Sequence, residues 1–78
     1  METLKKIFAT VLGVPIETIA PELSPENTPS WDSLNAIVLV TEIEKAFQTR
    51  FLYDEAMGVK SFADVVALVK SKVPSFHE

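Results

Sequence analysis

Apolar residues recur along this chain at helical spacing, and no stretch alternates strongly enough to compete as a strand. Leu4, Ile7, Phe8, Val11 and Leu12 form one stripe that predicts a first helix over about residues 3–12. Thr3 is a candidate cap for it, Lys5, Lys6 and Thr10 face solvent, and Gly13 is placed to end it in a left-handed conformation before Val14-Pro15. A second helix is expected over 33–49. Wound at about 100° per residue, Ala36, Leu39, Val40, Ile43, Ala46 and Phe47 share an arc and should face the core. Leu34 and Val38 fall on the far side with Thr41, Glu42 and Lys45, and Ile37 lies on the border. A small domain has one core, so this second apolar stripe should be partly exposed, next to Ser33.

Shorter signals complete the pattern. Residues 54–58 suit a third helix of one or two turns, with Asp54 and Glu55 near its positive end and Gly58 as its stop. Ser61, with Asp64 three positions on, opens a fourth helix over 62–73, whose inner face is Phe62, Val65, Val66, Val69 and Val73. Pro74 ends it and leaves 74–78 as a loose tail. The fold class is therefore all-α, a small four-helix bundle with a long first loop and a short third helix. That loop, residues 13–32, is too long to be left unpacked. Ile16, Ile19 and Leu23 are its expected anchors, Trp31 a further one, and Pro15, Pro21, Pro25 and Pro29 lower the entropy lost on ordering it.

Composition narrows the function. A chain of 78 residues forms one domain with a stability on the order of 4 to 12 kcal/mol and no room for a large interior cavity. The net charge of −4 without a basic cluster argues against nucleic acid and anionic membrane and favours basic protein partners. No apolar run approaches a membrane span and the first residues read as an amphipathic helix, so a cytoplasmic monomer is expected, with no membrane insertion. Cysteine is absent, so the chain has no disulfide and no thiol of its own.

Catalytic chemistry finds little support. His77 is the only histidine and lies in the expected tail, which leaves Ser33 without a general base. Gly13 and Gly58 are the only glycines, too few for a phosphate-binding loop. Adjacent acids such as Asp54 and Glu55 are ordinarily solvated and carry no metal-site argument. The chain reads as neither an enzyme nor a metalloprotein. What stands out is a hydroxyl at the mouth of a long helix: Ser33 follows a Pro-rich loop, and Asp32 beside it can cap the helix and leave Ser33 free to point outward.

The run Asp32-Ser33-Leu34, near the middle of a small acidic chain and followed by a helix ending Ile43-Glu44-Lys45-Ala46-Phe47, resembles the acyl carrier protein family over essentially the whole length. The resemblance implies a 4′-phosphopantetheine arm on Ser33, with Asp32 and Leu34 flanking it, installed from coenzyme A by a phosphopantetheinyl transferase. The arm's thiol would carry an acyl group as a thioester to the acyl-loading and acyl-processing enzymes of fatty acid, polyketide or another specialised acyl pathway. A helix N-terminus favours the phosphodiester this adds. Leu34, Ile37, Val38, Thr41, Glu42, Asp54 and Glu55 are then the expected partner surface.

Aminoacyl, peptidyl and D-alanyl carriers share the same pattern, and an unmodified helical adaptor could retain the fold alone. The chain departs from the family's usual residues in several places. Ser30-Trp31 replaces a small residue, Asn35 stands where Asp is common, and Val38 stands where an acid is common. Tyr53 and Met57 also make the third helix less acidic. These departures imply a specialised, stand-alone member.

Overall fold

The computed structural model describes residues 2–76. Its helices are α1 (Glu2–Leu12), α2 (Ser33–Phe47), α3 (Tyr53–Met57) and α4 (Phe62–Lys72), with a 3₁₀ turn at Ile16–Thr18 and no strand among the described residues. The small all-helical architecture is the expected one. Element ends differ by a residue or two, each for a local reason. In α1, Leu4, Phe8 and Leu12 are buried and Ile7 and Val11 pack beside them. The helix starts at Glu2, whose carboxylate suits the positive end and pairs with Lys6 at 3.9 Å, so Thr3 lies inside the helix and not at its cap. Gly13 closes it at φ 66°, donating its N–H to the Ala9 carbonyl at 2.9 Å.

The long loop is bound to the bundle by its backbone as well as by side chains. Ile19 is buried, and Leu23 packs against the core. The carbonyls of Leu23 and Pro21 accept the N–H groups of Phe62 and Ala63 at 2.8 and 3.0 Å, while Ser61 Oγ accepts that of Asp64 at 3.1 Å. The first donors of α4, which have no partner within the helix, are satisfied by the loop and the cap together. Further along, Asn27 ties the loop to itself: Nδ2 donates to the Glu22 carbonyl, and Oδ1 accepts from Ser24 N–H and from the hydroxyl of buried Thr28. Trp31 then enters the core. Its ring meets Phe8 edge to face at 5.2 Å, and Phe8 meets Phe62 in the same manner at 4.9 Å, so one aromatic side chain joins α1, the end of the loop and α4.

Leu39 and Ile43 are the fully buried residues of α2, with Ala36 and Val40 half-buried. The helix ends at Phe47, two residues short of the expected 49, because Gln48 turns left-handed at φ 53°, ψ 51° and both Gln48 and Thr49 donate to the Glu44 carbonyl. Ala46 is exposed despite its place on the predicted core arc, since in this last turn Phe47 alone faces inward. Phe47 meets Phe76 edge to face at 5.5 Å, and Phe76 N–H donates to the Val73 carbonyl at 3.0 Å. Residues 74–76 are therefore a packed turn and not a loose tail; His77 and Glu78 lie outside the described residues.

Phe8 is the test of this packing. Its side chain is wholly buried between two rings, so Phe8→Ala should lower the unfolding free energy by about 3 to 5 kcal/mol in urea titrations followed by circular dichroism. The substitution should also unmask the fluorescence of Trp31.

Candidate functional site

Three hydrogen bonds define the start of α2. Asp32, in an extended conformation, accepts the Asn35 N–H on Oδ1 at 2.9 Å, and its carbonyl accepts the Ala36 N–H at 2.8 Å. Asn35 then reaches back, its Nδ2 donating to the Ser30 carbonyl at 2.7 Å. Asp32 is thus the cap, and Ser33, the first residue of the helix, is exposed with its hydroxyl taking no part in the capping. Leu34 follows at 70% exposure.

Ser33 stands on a ridge between two open grooves. One, of about 620 Å³, runs between α2 and α3 and is lined by Ile37, Thr41, Tyr53, Ala56 and Met57 together with Ser33. The other, of about 360 Å³, is lined by Trp31, Asp32, Ala36 and Val59 and shares Ser33, Ala56 and Met57 with the first. Beneath them the space among Leu39, Ile43, Val65 and their neighbours amounts to only about 20 Å³, so the room beside Ser33 is open to solvent.

The expected partner surface divides across the molecule. Ile37 and Thr41 line the groove beside Ser33, and both, like Leu34, are exposed. Val38 and Glu42 instead line a separate groove of about 470 Å³ against Lys6, Ile7, Thr10 and Val11 of α1. Helical spacing alone cannot tell which side of a stripe its neighbour covers. The structure gives Tyr53 and Met57, noted above only for making the third helix less acidic, a place: exposed by 77% and 45%, they line the groove beside Ser33 with Ile37 and make that margin apolar, while Leu52, which sequence reasoning passed over, is exposed by 67% just before them. A signal existed, because a five-residue helix with one buried residue, Ala56, leaves its other apolar groups outward.

Charge at the site is largely paired. Glu42 pairs with Lys45 at 3.6 Å. Glu44 Oε2 accepts the Phe51 N–H at 2.8 Å, which holds the α2–α3 connection onto α2. Glu55 braces α3 against the end of α4, since Oε1 accepts the Leu52 N–H at 2.8 Å and Oε2 meets Lys72 Nζ at 2.9 Å. The hydrogen bond from Lys72, and after it that from Leu52, holds the Glu55 carboxyl below the usual range, against the opposing effect of burial. Asp54 is exposed. No group of three candidate ligands for a metal ion occurs among the described residues, and none of their helices is long and apolar enough to cross a membrane.

Residues 2–69 match the sequence model of the family described as the phosphopantetheine attachment site. The chain is 32% identical over 73 residues to the acyl carrier protein of Thermosynechococcus vestitus, covering 94% of this chain and 90% of that protein. It is 29% identical over 75 residues to acyl carrier protein 3 of Ralstonia nicotianae, covering 96% of this chain and 86% of that protein.

The α3 brace has a defined pH dependence. A carboxyl whose pKa is lowered by folding contributes stability that is complete above its unfolded value, about 4.3, and is lost as pH falls through the lower folded value. In a carbon-13 titration of the side-chain carboxyls, the Glu55 midpoint should fall below that of free Glu. In Lys72→Met it should move up towards the ordinary value while α1 and α2 stay folded.

Proposed function

The chain belongs to the acyl carrier protein family, and from that premise we propose that it carries acyl groups on a 4′-phosphopantetheine arm attached to Ser33. The family's prosthetic group is covalently attached 4′-phosphopantetheine. When attached, the arm supplies a terminal thiol that holds an acyl group as a thioester. One observation carries the choice of Ser33: it is exposed at the first position of α2 while its neighbour Asp32 does the capping. A serine that is itself the cap would have to surrender that bond on modification, whereas Ser33 is free to react.

The surroundings fit the group. The N-terminal end of α2 carries partial positive charge that favours the phosphodiester. The grooves on either side give a flexible chain room to leave in either direction. In the attachment reaction the Ser33 Oγ–phosphorus bond forms and the bond from that phosphorus to the nucleotide half of coenzyme A breaks. The hydroxyl proton passes to a base on the phosphopantetheinyl transferase. The chain thus enters the reaction as substrate, which accords with the absence of a base beside Ser33 in the sequence.

Acyl-loading and acyl-processing enzymes then meet the surface around Ser33, with Leu34, Ile37 and Thr41 on α2 and Tyr53, Asp54 and Met57 on α3 in reach of them. Tethering makes recognition a matter of this surface and raises the effective concentration of the cargo at a docked enzyme. Both relatives above are named acyl carrier proteins, which supports acyl over aminoacyl cargo. The apolar margin supports a partner set within a specialised acyl pathway.

Incubation with coenzyme A and a broad-specificity phosphopantetheinyl transferase should add one 4′-phosphopantetheine mass to the intact protein. Ser33→Ala should abolish the gain while changing stability by less than about 1 kcal/mol, because the Asp32 cap remains. A mass gain in Ser33→Ala would place the attachment elsewhere.

A further inference from the structure

Exposure of large apolar side chains is confined to the start of α2 and to α3. Among the described residues they are Leu34, Ile37 and Val38 in the first two turns of α2, and Leu52, Tyr53 and Met57 at α3. Val38 turns into the groove against α1, whereas Ile37, Tyr53 and Met57 line the groove that contains Ser33. A single exposed apolar residue needs no explanation, but a cluster of them marks a contact surface. Tyr53 is the most exposed of the six, at 77%. It is the first residue of α3, and the backbone before it is held, because Glu55 accepts the Leu52 N–H and is itself paired with Lys72. The ring is presented from a fixed backbone, and a tyrosine side chain loses little entropy when a partner immobilises it.

We infer that Tyr53 is the anchor on which a phosphopantetheinyl transferase docks, through an apolar contact in which Ile37 and Met57 surround the ring. This rests on Ser33 being the attachment site. An enzyme that reaches Ser33 covers several hundred Å² around it even in a short-lived complex, so the groove wall falls inside its footprint. At the centre of such footprints tyrosine and methionine are enriched and acids depleted, and a few aromatic anchors supply most of the affinity. The opposing reading is recognition through acids, in keeping with the negative charge of the chain. Asp54 is exposed beside the ring, but Glu55 is committed to Lys72, and positions 53 and 57 carry no charge. The transferase surface that fits this wall presents apolar side chains to the groove and few cations.

The test measures the kinetics of a broad-specificity transferase with coenzyme A on the full chain and on its Tyr53→Phe, Tyr53→Ala and Tyr53→Glu variants. Docking on the ring predicts that Tyr53→Ala raises KM for the carrier by about tenfold, that kcat is far less affected, and that Tyr53→Phe recovers most of the loss. A rise below about fivefold in Tyr53→Ala overturns the inference, as does a fall in kcat with KM unchanged. Tyr53→Glu separates the two readings. An apolar contact predicts a rise in KM as large as that of Tyr53→Ala; a smaller rise, or a fall, is recognition through charge and overturns it. The parent's KM should increase by less than about fivefold between about 0.05 M and about 0.4 M sodium chloride, because apolar contact is not screened. A steeper dependence assigns the contact to ion pairs and overturns the inference. Melting and amide exchange at Ala56, whose N–H is bonded to the Leu52 carbonyl, check that α3 is intact. Where Tyr53→Ala loosens α3, Tyr53→Glu decides by the same criteria, since an acid in the first turn favours the helix. If the parent protein itself is never modified, the assignment of Ser33 falls and the inference with it. A modified parent with indifferent variants removes the inference alone.

Discussion

The edge-to-face contact of Trp31 with Phe8 is the constraint on which the site depends. A loop of some twenty residues can sample many endpoints, and the entropy of closing it is recovered only if its far end is held. Burial of an indole at that far end supplies the hold, and the same Phe8 ring also meets Phe62 of α4. Two positions after this buried ring, the chain presents an exposed hydroxyl. Asp32, between them, uses its extended backbone to make the passage from core to solvent and its carboxylate to open the helix. The position of Ser33 is thus determined by the interior, although Ser33 lies outside it.

Pairing of charge gives the surface its character. The chain is acidic overall, yet most acids on α2, its cap and α3 are engaged: Asp32 in the cap, Glu42 with Lys45, Glu44 with Phe51 N–H, and Glu55 with Leu52 and Lys72. Asp54 remains exposed, among Leu52, Tyr53 and Met57. For the proposed encounters this surface offers apolar contact groups, with long-range steering left to the net charge of the molecule.

Local signals were legible because their causes are local. Gly13, the Asp32 cap and the Ser61 cap each follow from a few neighbouring residues, and the apolar stripe of α1 is buried as its spacing predicts. Features set by distant partners were not. The Glu55 carboxylate looks like any solvated acid until Lys72, seventeen residues on, is brought beside it. Val38 and Ile37 are adjacent in sequence, but α1 packs near one and α3 near the other, and only tertiary structure assigns them to different grooves. Phe76 shows the same limit: a Pro at position 74 ends the helix, and nothing nearby reveals that the chain turns back to meet Phe47.

That last contact also settles the traffic around the molecule. α2 has fifteen residues, so Phe47 lies about 20 Å from Ser33 along the axis, and Phe76 is held beside Phe47. Phe76 is thereby held near the opposite end of α2 from the Ser33 hydroxyl. With Ser33 as the proposed attachment point, an enzyme that reaches it works a full helix length away from the Phe47–Phe76 contact.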